Sequence, residues 1–200
     1  MVRANLTTMS GANPPALVTL DAWGDLDEDD SRELVDGRLE QEEVPSAIHE
    51  AVIRWLVVLL DAYFGPRGGH VFGSGLKLAV RPRSGRLADV VCYAPGKRPE
   101  PRGLVRTPPD IVVEVVSPSP RDERRDRIEK PNDYGAFGVR YYWLVDPELR
   151  SFEIWELGND GRYARATSAI TGKIDPVPGC NGLSMDVDAL WAEIDQLEGG

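Results

Sequence analysis

Residues 111–116 read Ile-Val-Val-Glu-Val-Val, five β-branched side chains with one carboxylate among them. A near-continuous apolar run of this length is what a strand covered on both faces looks like. An ionised carboxylate buried there is costly unless it is paired, hydrogen-bonded or bound to a metal, so Glu114 needs a partner. The plainer alternative is an edge strand with the glutamate at its frayed end. A second run, Leu87-Ala88-Asp89-Val90-Val91-Cys92-Tyr93, repeats the pattern between Arg83-Ser84-Gly85-Arg86 and Pro95-Gly96. Two acids in adjacent buried strands repel unless a cation lies between them. A hard divalent ion meets that need, because Mg²⁺ takes oxygen ligands, keeps several waters and typically uses one or two protein carboxylates. Asp110 shares the strand face of Glu114 but lies about 13 Å away at ~3.3 Å per residue, and reads as the start of the strand.

Asp89 in ADVV, Glu114 in PPDIVVEVVSPS, Lys130 sixteen residues further on in a charged helix, and YYWLVDP from Tyr141 to Pro147 follow one another in a set order. That order and spacing resemble the Uma-two family of restriction-endonuclease-like proteins, within the PD-(D/E)XK nuclease superfamily. The resemblance spans roughly Glu33 to Trp155, including ELVDG at Glu33 to Gly37 and His49 at the opening of the first long helix. It implies an α/β restriction-endonuclease-like core and a metal-dependent DNA endonuclease that uses Mg²⁺ or Mn²⁺. Asp89 and Glu114 then become metal ligands, with the backbone carbonyl of Val116 beside them. The superfamily's lysine usually sits two residues past the glutamate, where this chain has Val116. The resemblance therefore implies a lysine moved to the helix, and Lys130 takes its role. It also puts His49 near the mouth of the active site and matches Glu43 to an acid preceding that helix, with Glu33 as the competing choice.

Charge is distributed unevenly. Residues 21–50 hold twelve acids against Arg32 and Arg38, a balance of −10 that equals the net charge of the whole chain. Residues 81–106 carry seven basic residues against Asp89 and Glu100, a balance of +5. A basic surface flanking Asp89 could meet phosphates on an acidic molecule, and solvated loop arginines are the bland reading of the same count.

Two hundred residues with 42% hydrophobic content suit one domain with a sizeable core. Residues 1–20 read as a flexible leader and 21–200 as a single domain. No run approaches the ~20 apolar residues a membrane span needs, and no signal-peptide core precedes the domain, so a soluble cytoplasmic protein is expected. Cys92 and Cys180 show no zinc or CxxC spacing and are expected to be reduced thiols.

In chain order, Arg32 to Glu40 reads as two short strands about Asp36-Gly37. Ser46 is placed to cap a helix over Ala47–Tyr63, whose Ile48, Val52, Trp55, Leu56, Leu59 and Leu60 form one broad apolar face. His49 lies off that stripe, where a lone histidine is more often a surface or capping residue. Val71-Phe72 and Leu76 to Val80 read as strands around Gly73-Ser74-Gly75, which lacks a phosphate-loop pattern. Arg121 to Tyr134 reads as a helix laced with ion pairs, and Pro131 should disturb it next to Lys130. Phe152 to Leu157 and Arg162 to Thr167 form a hairpin about Gly158 to Gly161, and Val187 to Leu197 a closing amphipathic helix. The expected architecture is α/β: a central mixed sheet of about five strands flanked by helices, with a β-hairpin extension. DNA is the expected partner of the leading reading, no membrane is, and a homodimer is compatible with it. A second reading keeps the nuclease fold as a non-catalytic nucleic-acid-binding or protein-interaction module. A third makes Asp89 and Glu114 structural ion-pair partners of the arginines in residues 121–127.

Overall fold

The computed structural model describes residues 16–27, 29–41, 43–119 and 123–199. Most of the expected leader, together with Pro120, Arg121 and Asp122, lies outside the described residues. The contacts of the domain nevertheless begin inside the stretch read as leader, since Val18 N–H donates to Gly37 O at 2.8 Å. Helix α1 (Leu20–Gly24) follows, capped by Thr19, and drives Trp23 into full burial. A Cβ on Gly85 would lie 2.1 Å from the Trp23 ring, so only glycine lets the strand beneath accept that indole.

Strands β1 (Arg32–Val35) and β2 (Arg38–Gln41) pair in the expected register about Asp36-Gly37, both at positive φ. Helix α2 (Ala47–Phe64) starts at Ser46, whose Oγ accepts from His49 N–H at 3.2 Å. Next come β3 (His70–Phe72), β4 (Lys77–Arg81) and β5 (Ser84–Leu87), the last formed by residues read from sequence as a strand boundary. The run read as one strand from Leu87 to Tyr93 is thereby divided: β5 ends at Leu87 and β6 spans Val90–Tyr93. Asp89 stands between them, free of either ladder.

The central sheet has six strands rather than five, in the order β10-β9-β8-β7-β6-β3. Here β7 is Ile111–Val115, β8 Tyr141–Asp146, β9 Ser151–Leu157 and β10 Tyr163–Ala169. Only β7 and β8 run parallel, in the register Glu114 to Leu144. The parallel crossover contains α3 (Lys130–Phe137). A four-stranded antiparallel sheet, β2-β1-β5-β4, lies beside it. The chain closes with a short pair, β11 (Lys173–Ile174) and β12 (Met185–Asp186), and helix α4 (Val187–Glu198), whose N-terminus is capped by Asp186.

Side chains alternate across a strand, and each face of the central sheet has its own core. One face, with Val113, Val115, Trp143 and Val145, packs against Val52, Leu56 and Leu60 of α2 and Leu190 and Ile194 of α4. The other, with Val112, Tyr142 and Leu144, packs against Tyr134 of α3 and Leu78 and Val80 of β4. Glu114 belongs by parity to this second face, facing the helix that carries Lys130. Cys92 and Cys180 are buried free thiols in the first core.

Candidate active site

Glu114 is 1% exposed and lies in the middle of a sheet, not at a frayed edge. Its partner comes from the crossover. Lys130 Nζ donates to Glu114 Oε2 at 2.7 Å, and Tyr134 O–H donates to Glu114 Oε1. Lys130 also pairs with Asp126 Oδ1 at 3.0 Å and is itself 4% exposed. Burial, and then the neighbouring Glu114 charge, push the Tyr134 hydroxyl well above the ordinary tyrosine range, so it remains a donor. Burial raises the Asp126 carboxyl above 3.8 while the Lys130 charge opposes the rise.

The local backbone explains how a helix lysine reaches a strand glutamate. Arg125–Glu129 forms a π-helical turn in which Lys130 N–H donates to Arg125 O, five residues back. Pro131 follows and has no N–H for the next bond, while the Asn132 side-chain amide donates to Ile128 O at 2.6 Å. Tyr142 O–H fastens the turn to the sheet through Asp126 O at 2.7 Å. The proline disturbance anticipated from sequence thus takes the form of a widened turn. Asp126, Lys130 and Tyr134, spaced by four, line up on the face toward Glu114. Neither Asp126 nor Tyr134 stood out from sequence as a site residue, although that spacing is visible in it.

Asp89 immediately precedes β6 and, continuing its antiparallel register with β7, stands opposite Glu114. Its Oδ2 accepts from Val115 N–H at 2.7 Å and meets His49 Nε2 at 3.4 Å. Its Oδ1 has no donor among the described residues. His49 is mostly buried, and burial disfavours its charged form. The Asp89 hydrogen bond and charge outweigh that effect and hold the imidazole above 6.5. Its Nδ1 is buried without a hydrogen-bond partner among the described residues.

A cleft of about 430 Å³ brings together Asp89, Glu114, Lys130, His49 and Glu43, with Glu43 exposed at its edge. Val116 is not on its wall. In a strand, a residue's N–H and C=O point to the same edge. Val116 N–H donates to Val145 O, so its backbone faces β8, whereas Val115, whose N–H meets Asp89, faces the cleft. Val116, just past the end of β7, turns its N–H to β8 and lies off the cleft wall, and Val115 is the residue whose backbone meets Asp89. Glu33 is absent from the cleft as well: it is fully buried, accepting from Arg86 at 2.5 Å and from Leu87 N–H at 3.0 Å. Burial works against its charge, yet the charges of Lys130 and Arg86 hold its carboxyl below 4.5.

Of the seven basic residues counted between 81 and 106, only Arg86 is buried; Arg81, Arg83, Arg98, Arg102 and Arg106 stay exposed, and several of the set are tied to acids or carbonyls. Arg81 and Arg86 pair with Asp133, Lys97 with Asp110 and Arg106 with Asp21, while Arg83 donates to Asp36 O. Among the described residues the cleft itself is lined by seven carboxylates (Asp29, Asp30, Glu43, Glu50, Asp89, Glu114, Asp126) against Lys77, Arg125, Lys130 and His49. Such a lining attracts cations more readily than bare phosphates. Arg124 pairs with Glu129, and Arg127 with Asp146 and Glu153. Among the described residues, Lys130 reaches Glu114 from this crossover. Among the described residues no three His, Cys, Asp or Glu side chains converge as a ready metal cluster. No described helix is long and apolar enough to cross a membrane.

No curated protein matches the sequence. A solved structure titled "Crystal structure of a putative nuclease belonging to DUF820 from Anabaena variabilis ATCC 29413 at 1.96 A resolution" superposes with a TM-score of 0.69. It is 16% identical in sequence, and the match covers 88% of this chain and 99% of that one, which establishes a shared fold. Residues 18–188 match the Uma2 family, described as "Putative restriction endonuclease", and with most of its length inside that match the chain belongs to the Uma2 family.

Proposed function

We propose that this chain is a divalent-metal-dependent nuclease that hydrolyses phosphodiester bonds in DNA. The observation that carries the reading is the Glu114–Lys130 pair, a strand carboxylate and a helix ammonium 2.7 Å apart on the wall of a cleft that also holds Asp89. The donor set suits a hard cation. Asp89 Oδ1 is without a donor among the described residues, Glu114 is a buried carboxylate on the cleft wall, and the backbone of Val115 faces the same space. Asp89 and Glu114 would hold Mg²⁺ or Mn²⁺, with the Val115 carbonyl rather than that of Val116 as the main-chain ligand. When bound, such an ion lowers the pKa of a ligated water and neutralises charge on the scissile phosphate.

The chain's own groups do the rest. Lys130 presents a compact positive charge beside the reacting phosphate oxygens, and Asp126 keeps that ammonium in place when Glu114 shares its charge with a metal. Tyr134 fixes the rotamer of Glu114, and His49 fixes Asp89 from α2. Glu43 stands where it could orient a metal-bound water.

The test pairs binding with cleavage. Mg²⁺ and Mn²⁺ are titrated calorimetrically into the wild type and into folded Glu114→Gln, and a supercoiled plasmid is then incubated with wild type, Asp89→Ala, Glu114→Gln and Lys130→Ala. The expected result is binding lost in Glu114→Gln and nicking that stops with EDTA and with each substitution, by at least ~10²-fold for a group that stabilises the transition state. Absence of metal binding even with DNA present would overturn the reading. A second reading, a non-catalytic module on the nuclease fold, is favoured by one observation: both Glu114 oxygens already have protein donors, and among the described residues no three-ligand cluster is formed. DNA binding without turnover in any divalent metal would decide for it.

A further inference from the structure

A second cavity, of about 530 Å³, lies on the other side of the crossover helix, between the outer face of the π-helical turn and strands β8 to β10. Its size falls in the range of roughly 300–1,000 Å³ typical of small-ligand sites. Its chemistry is the reverse of the cleft's, since no carboxylate lines it among the described residues. Leu144 and three aromatic side chains, Tyr142, Trp155 and Tyr163, form its apolar wall, and the two tyrosine rings are 5.9 Å apart. Tyr142 O–H is committed to Asp126 O and Tyr163 O–H to Val139 O, at 2.7 and 2.6 Å. These tyrosines therefore offer a ligand their rings and not their hydroxyls, which suits stacking that tolerates different ring substituents.

Two guanidinium groups border the cavity and differ in their commitments. Arg127 is clamped by Asp146 and Glu153. Arg162 is exposed on the β9–β10 turn, and among the described residues only its backbone is engaged, its N–H donating to Asp160 Oδ1 and its carbonyl accepting from Gly158 N–H. A third, Arg165, stands 5.8 Å from the centroid of the Trp155 ring. A planar apolar group with a nearby anionic charge matches this arrangement of ring faces and an uncommitted cation.

We propose that this cavity binds a nucleotide with an unpaired base, the base stacked against Trp155 and Tyr163 and the phosphate held by Arg162. The nucleotide is either free in solution or the splayed end of a nucleic-acid strand, and the site does not depend on catalysis in the cleft.

The experiment follows tryptophan fluorescence in EDTA as dAMP, deoxyadenosine, ribose 5-phosphate or a short oligothymidylate is added. Saturable binding of dAMP is expected, with the base alone and the sugar phosphate alone binding roughly tenfold more weakly or worse. Arg162→Glu and Trp155→Ala should each weaken dAMP by about tenfold, while Glu114→Gln, which removes the cleft's metal ligand, leaves it unchanged. Tighter binding of the oligothymidylate than of dAMP assigns the site to a strand, and the opposite order assigns it to a free nucleotide. Circular dichroism checks each variant; Arg162 is exposed, so Arg162→Glu carries the test if Trp155→Ala fails to fold. No saturation by any of these ligands at millimolar concentration, binding indifferent to Arg162→Glu, or binding lost in Glu114→Gln overturns the proposal. Loss of plasmid cleavage with dAMP binding intact would count against the nuclease reading alone.

Discussion

Two buried charge clusters meet the same short helix three residues apart, and they are built differently. Around Asp133, Arg86 donates through Nε and Nη2 to Oδ2 at 2.8 and 2.7 Å, and Arg81 supplies Oδ1 at 2.8 Å. Arg86 Nη1 and Leu87 N–H then satisfy the two oxygens of Glu33. All four carboxylate oxygens have donors, and Arg86, Glu33 and Asp133 are all off the cleft wall. Around Lys130, by contrast, Glu114, Asp126 and the neighbouring Asp89 all line the cleft, and Asp89 keeps an oxygen without a donor among the described residues. Burial and charge are common to both clusters, so neither property marks a site by itself. Unused lone pairs facing a cavity separate a place that can accept a ligand from one that ties β1, β5 and α3 together.

The contrast breaks most sharply if the closed cluster is opened. Arg86→Ala strands two buried carboxylates and is expected to cost about 3–5 kcal/mol in urea unfolding. Mg²⁺ should restore none of it, because Glu33 and Asp133 lie off the cleft wall. Lys130→Ala removes one partner of Glu114 while Tyr134 remains, so a smaller loss of ~2 kcal/mol is expected without metal. Here Mg²⁺ can take over the counter-charge, and saturation at about 100 times Kd would return ~2.7 kcal/mol. Equal metal rescue of both variants, or of neither, would erase the distinction between the clusters.

Sequence alone discloses the parts of this site that follow from strand burial and local capping. Glu114 stands out because a carboxylate in a β-branched run must be compensated, Ser46 because hydroxyls cap helices, and Asp36-Gly37 because a two-residue hairpin needs positive φ. What it conceals depends on contacts between distant segments. Arg86 looks like one of seven loop cations until β5 folds it between Glu33 and Asp133, residues fifty-three and forty-seven positions away. The partial neutralisation of the basic surface, by Asp133, Asp110 and Asp21, is hidden for the same reason. Whether Val115 or Val116 turns its backbone to the cleft is a matter of edge parity, fixed by which neighbour each strand edge meets. The π-helical turn could be anticipated only as a disturbance at Pro131, because which side of the helix it turns inward is set by the sheet below.

The closed cluster should also show itself in acid. Glu33 has its carboxyl held below the ordinary 4.5 in the folded state, so its ionised form contributes stability that is fully present above that value. The contribution is lost as pH falls through the lowered folded value. Glu33→Gln should therefore be less stable than wild type at pH 7, and the gap should narrow as pH drops below 4.5. Thermal melts of both proteins across that window check the sign. A gap that widens in acid would mean that Glu33 is protonated in the native state and that Arg86 is held by Asp133 alone.

The smallest expected effect tests how firmly the open cluster is held from its other side. Ser46 Oγ accepts His49 N–H, so the cap that starts α2 also fixes the residue that meets Asp89. Ser46→Ala should cost about 1 kcal/mol, and Ser46→Asp, an equally good cap, should recover it. If His49 owes its position to that first turn, Ser46→Ala will also bring the imidazole pKa, followed by NMR, back toward 6.5, because the Asp89 contact that raises it is lost as the turn frays. A stability loss with the imidazole unchanged would show instead that Asp89 holds His49 whether or not the helix is capped, making the carboxylate, anchored by Val115 N–H, the fixed point of this side of the cleft.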